Sequence, residues 1–144
     1  MRKLVPLLAC LAWVAAGPAA AQRPTEGLVR GIAEDVLVRA ALERGAFAAC
    51  AALGPEPAEA VTHLRTFWVR DVADAATLLR GAGLSDAAVG ALVSRFDLDK
   101  VTPRFAEPQA LQAFCSVVGD WQTRYEQFRY IVPQHEMKRL LERR

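Results

Sequence analysis

The chain has 144 residues, 53% of them hydrophobic and 24% charged, with 18 lysine and arginine residues against 16 aspartate and glutamate. That composition excludes an intrinsically disordered chain, and 3 cysteines are too few for a cysteine-dense miniprotein scaffold. The length fits a domain large enough to bury a core of its own.

The first predicted element is a leader. Arg2 and Lys3 form a basic start, residues 4–16 an apolar run, and Gly17-Pro18 a break before Ala19-Ala20-Ala21. This order predicts a secretory signal peptide cut after Ala21, leaving residues 22–144 as a single exported α-helical domain in the periplasm or outside the cell. The apolar run is too short to read as a membrane span, and no later segment is apolar for long enough. Leu7-Leu8-Ala9-Cys10 offers a lipid anchor as the lesser alternative, although the apolar stretch continues past Cys10. All 16 acidic residues follow the leader, whereas Arg2 and Lys3 lie within it, so the exported chain is expected to be close to neutral. Such a chain lacks the field that collects nucleic acid, and no nucleic-acid partner is expected.

Helical signals follow in order. From Glu26, the residues Val29, Ala33, Val36, Ala40, Phe47 and Ala51 share one face at helical spacing, and the helix is predicted to run to Leu53 before Gly54-Pro55 stops it. A second helix, from Pro57 to about Arg80, carries the stripe Val61, Leu64, Trp68, Val72, Ala75 and Leu79. The third has the clearest start: Ser85 as cap, Asp86 beside the positive end of the dipole, and Leu84 placed to staple onto Val89. Residues 97–108 read as a connection with two cap-plus-proline starts, Thr102-Pro103 and Glu107-Pro108. From Pro108 to about Tyr130 a long helix is predicted, with Leu111, Phe114, Cys115, Val118, Trp121, Tyr125 and Phe128 on a core-facing arc. Val132-Pro133 ends it, and residues 134–143 read as a short basic terminal helix. The fold class is therefore all-α: a small bundle of four to five helices stapled by one disulfide.

The staple follows from counting. If Cys10 leaves with the leader, Cys50 and Cys115 are the remaining pair, and in an oxidising compartment a disulfide is the simplest reading, two free structural thiols the lesser one. Closing a loop of roughly 65 residues contributes about 4 kcal/mol in the chain-entropy model, less any strain. No CxxC redox motif is present, and two isolated cysteines make no zinc cage.

Catalytic signatures are weak. Asp97 and Asp99 imitate the start of a calcium loop, but Thr102 replaces its turn glycine and Pro108 its bidentate glutamate. His135-Glu136 imitates the start of a zinc-protease helix, yet Arg139 stands where the second histidine belongs. His63, at the polar margin of the second helix, has no nucleophile beside it in sequence. No CxxCH haem motif occurs; a haem or other apolar ligand held non-covalently by His63, His135 or Met137 is the alternative function. No metal and no cofactor are expected.

Two further features bear on function. Asp71 falls inside the apolar arc of the second helix, so its carboxylate needs a partner or a raised pKa; Arg95, Arg104 and Arg124 are the expected partners, and a role lining a pocket or interface is the rival reading. Trp121, Tyr125 and Phe128 recur at helical spacing, which predicts core packing first and an interaction face second. Asp71, His63, Trp121, Tyr125 and Phe128 are thus the candidate pocket or interface residues.

An exported two-cysteine helical domain of this size resembles, in gross features, the small acid-stress chaperones of the bacterial periplasm (HdeA type). No motif carries the likeness, and it assigns no residue a role. The sequence therefore predicts a non-enzymatic exported protein whose partner is another exported protein.

Overall fold

The computed structural model describes residues 24–143, so the predicted leader, its cleavage site after Ala21 and Cys10 lie outside the described residues. The described residues form seven α-helices and no strand.

Helix α1 (Glu26–Ala51) starts where the Leu28 N–H donates to the Thr25 hydroxyl at 3.3 Å. Its inner face is rich in alanine, and Val29, Ala33, Val36, Leu37 and Ala40 are wholly buried. Small side chains let neighbouring helices approach closely, while valine, leucine and Phe47 fill the space between them. Helix α2 (Pro57–Gly81) begins on its proline and buries Leu64, Trp68, Ala75 and Leu79, four of the six residues of the predicted stripe. Trp68 also satisfies its one polar atom: the indole N–H donates to the Phe96 carbonyl at 2.7 Å.

Helix α3 (Asp86–Val93) forms as its start signal predicts. The Ala88 N–H donates to the Ser85 hydroxyl at 3.2 Å, and Leu84 and Val89 are both buried. A 3-10 turn, Ser94–Phe96, leads to α4 (Leu98–Val101). Here the expected start at Thr102-Pro103 does not occur. Asp97 caps α4 by accepting from the Asp99 N–H at 2.9 Å, and Thr102 donates its hydroxyl to the Leu98 carbonyl at 2.6 Å. The competing cap sits five residues earlier and is an aspartate, the stronger cap. Helix α4 rests on α1 at Gly45, where an added Cβ would meet the Val101 carbonyl oxygen at 2.7 Å. Glycine is what permits that crossing.

The long helix predicted from Pro108 is broken in two. Helix α5 (Pro108–Val118) ends at Gly119, whose φ of 72° only glycine adopts freely. Asp120 then caps α6 (Trp121–Glu126), accepting from the Thr123 N–H at 3.3 Å. Helix α7 (Pro133–Glu142) closes the chain. This break and the separate α4 account for seven helices in place of four to five.

Helices α1, α2 and α7 pack on one another, α3 lies on α2, and α4, α5 and α6 lie on α1. The core lies among the first three and includes Val36, Phe47, Trp68, Leu79 and Met137. No residue of α5 or α6 is buried. Cys115 is accordingly half-buried rather than in the core, because α5 touches the rest of the molecule along one side only. Cys50 is buried, and the two sulfurs are 2.11 Å apart, so the predicted staple joins the end of α1 to α5. No helix of the described residues is long and apolar enough to cross a membrane.

Candidate functional site

Asp71 has a partner, and it is none of the three arginines expected. Arg44 Nη2 donates to Asp71 Oδ2 at 2.8 Å, with Arg44 0% and Asp71 5% exposed. Arg95 instead donates to Glu34 at 2.8 Å, Arg124 pairs with Glu43, and Arg104 is exposed. The reason is helical phase. Arg44 lies one turn beyond Ala40 on the buried face of α1, so its guanidinium enters the core opposite Asp71 on α2.

The buried pair is only partly satisfied. Arg44 Nε and Nη1 have no hydrogen-bond partner among the described residues, nor does the buried Tyr125 hydroxyl. The guanidinium carbon instead lies 3.6 Å from the Tyr130 ring centroid and 5.6 Å from that of Tyr125, a cation–π arrangement that compensates part of the missing solvation. Burial pushes the Asp71 carboxyl above its ordinary range, against the pull of the Arg44 charge. Burial likewise raises the Tyr125 phenol.

Tyr125 and Tyr130 stack at 5.3 Å and 21°, and above them opens a groove of about 290 Å³. Helix α2 supplies one wall through His63, Leu64 and Phe67; α6 and the turn after it supply the other through Trp121, Tyr125, Phe128 and Tyr130. The rings meet edge to face: His63 on Phe67 at 4.6 Å, His63 on Tyr125 at 5.8 Å, and Phe67 on Tyr125 at 6.3 Å. Beneath them Phe47 holds α6 to α1, 6.1 Å from Trp121 and 6.5 Å from Tyr125. Glu43 secures the same region by pairing with Arg124 and accepting the Ile131 N–H at 2.7 Å. Phe128 is 73% exposed and takes a φ of 53°, left-handed backbone that a bulky residue rarely adopts.

Of the five candidates, the structure brings His63, Trp121, Tyr125 and Phe128 together on this groove. Asp71 is absent from its lining and is buried with Arg44 instead. Trp121 and Tyr125 are half-buried groove walls, not core residues. Sequence reasoning missed Tyr130, which stands at the expected helix end and outside the predicted core-facing arc, and Arg44, whose position on the stripe was the available signal.

A second, shallower hollow of about 780 Å³ adjoins the first, shares Ala60, His63, Trp121 and Gln122 with it, and runs to the start of α2. His135 lines another hollow, beside Arg39 and Glu136. The two histidines thus belong to different grooves, and among the described residues no three metal-ligating side chains gather. Glu136 accepts from Arg139 Nε at 2.9 Å; that bond, with the charge of Arg139, holds its carboxyl below the usual range.

Comparison of the chain with family models, curated proteins and solved structures finds no match. Fold and groove therefore define a class alone: an all-helical, disulfide-stapled protein with an aromatic surface groove.

Proposed function

We propose that this is an exported, non-enzymatic protein, a small stapled helical bundle that grips an apolar segment of another exported protein in the groove between α2 and α6. The observation that carries the reading is the groove itself: an exposed trough walled by Phe67, Trp121, Tyr125, Phe128 and Tyr130. Aromatic side chains give large contact area at low entropic cost and are enriched at interfaces. Export is supported by the leader-like order of residues 1–21 and by the cystine, a bond that persists in oxidising compartments. His63 meets Phe67 and Tyr125 edge to face within the groove.

A small apolar ligand is the second reading, favoured by the same lining. The volume of about 290 Å³ lies at the lower end of small-molecule sites, which suits a few side chains better than a haem.

The test places a photo-crosslinking phenylalanine at position 128, in the groove, or at Val117, which is 88% exposed on α5 away from it. A protein adduct from position 128 and none from position 117 is the expected result. Equal labelling from both positions, or purified protein that carries a coloured cofactor or turns over a substrate, overturns it.

A further inference from the structure

Resting on that reading, we infer that the segment docking in the groove is a basic amphipathic peptide, its apolar side chains seated on the rings and its lysines or arginines over the rim. The groove and the hollow at the start of α2 form one trough, and every charged residue lining that stretch is acidic: Glu56 and Glu59 at the start of α2, and Glu126 at the end of α6. All three are exposed, and none enters an ion pair among the described residues. At the trough's other end Phe128 and Tyr130 also border the hollow of His135, where Arg39 and Arg139 are both paired with Glu136. Arg70 stacks on Phe67 at 4.3 Å but does not line the trough.

Elsewhere among the described residues most carboxylates have a cation, as Glu34 has Arg95, Glu43 Arg124 and Asp99 Arg65; of those that do not, Asp97 and Asp120 cap helices and Asp74 accepts from Gln134, and Glu107 stands alone. Helix stability accounts for Glu59, in the first turn of α2 where the dipole welcomes an anion. It does not account for Glu126. That residue ends α6, at the carbonyl pole, where the dipole disfavours a carboxylate. Gln122 nonetheless holds it, donating from Nε2 to Glu126 Oε1 at 3.1 Å, and both residues line the groove. An apolar trough with an anionic rim is complementary to a cationic amphipathic segment.

The full exported chain is titrated, by fluorescence, with a short leucine–lysine amphipathic peptide and with its leucine–glutamate and leucine–glutamine twins. The lysine peptide should bind about tenfold more tightly than the glutamate twin at low ionic strength, with the gap closing as salt screens the rim. The triple variant Glu56→Gln/Glu59→Gln/Glu126→Gln should lose that preference and keep its affinity for the glutamine twin; Glu126→Gln alone should lose part of it. Equal binding of all three peptides overturns the basic partner and leaves the peptide-binding reading standing. Binding of none overturns both. A choline-type cation that binds as tightly as the lysine peptide overturns the peptide as occupant.

Discussion

Helices α1 and α2 on one side, and α5 and α6 on the other, are stabilised by different means. The first pair buries its own core, down to a guanidinium with no exposed surface. The second pair buries no residue and is held by the Phe47 ring, the Glu43 bonds and a covalent link at Cys115. Burial stabilises by about 25 cal/mol for each Å² of apolar surface removed from water, so most of the folding free energy belongs to the first region. Segments with few buried contacts open locally at lower free energy than the core. The groove lies on the seam between the two: one fixed wall from α2, one lightly anchored wall from α6.

The sharpest way to break the comparison is inside the fixed half. Asp71→Leu leaves the Arg44 cation buried with no anion and should cost about 3 to 5 kcal/mol in chemical denaturation, whereas the double variant Arg44→Met/Asp71→Leu should recover most of that loss. Asp71→Asn keeps an acceptor and should be milder. Its pH dependence has a definite sign. Because burial raises the folded-state pKa above the ordinary 3.8, the Asp71 contribution to stability is fullest in acid and is lost as pH rises through that raised value. Wild type should therefore lose ground to Asp71→Asn over that rise. A gap that instead widens with pH would show that the Arg44 charge outweighs burial.

Much of this half was legible in the sequence, because its rules are local. The Ser85 cap, Pro57, the Leu64-Trp68-Ala75-Leu79 stripe and the Cys50–Cys115 pairing all follow from spacing, capping and counting. Arg44 was not, since an arginine reads as solvent-facing even where Ala40 before it and Phe47 after it place it on the buried stripe. The second half was less legible. Apolar residues from Leu111 to Phe128 continue a plausible helical arc across Gly119-Asp120, so periodicity concealed a glycine stop and an aspartate cap. The groove required knowing that α6 lies beside α2, a tertiary fact to which Phe47, Glu43 and the cystine all contribute and none announces.

Breaking the staple probes the other half. Replacing Cys50 and Cys115 by alanine should lower global stability by about 2 to 4 kcal/mol, since the bond closes a separation of 65 residues. The location of the effect matters more than its size. Hydrogen exchange should accelerate in α5 and α6 well before α1 and α2 respond. Uniform acceleration would mean that α5 and α6 fold as one cooperative unit with the core, and the contrast drawn between the halves would fail.

The smallest effect on stability falls at the groove edge. Phe128 carries its left-handed φ of 53° while 73% exposed, so the ring is held in costly backbone with little burial in return. Left-handed geometry costs a non-glycine residue roughly 1 to 2 kcal/mol, and glycine gives back about 0.5 to 1 kcal/mol through its freer unfolded chain. Phe128→Gly should thus leave stability unchanged or raise it by about 1 kcal/mol, while weakening binding of an apolar peptide. Phe128→Ala separates the two contributions, because alanine removes the ring and keeps most of the strain: it should bind as poorly as the glycine variant without its gain in stability. If Phe128→Gly instead lowers the melting temperature, the ring packs for the fold, and its exposure says nothing about a partner. If both variants bind peptide like wild type, the groove ends at Tyr130. Strain kept at an exposed aromatic that the fold does not need is most simply maintained by what the aromatic touches outside the fold.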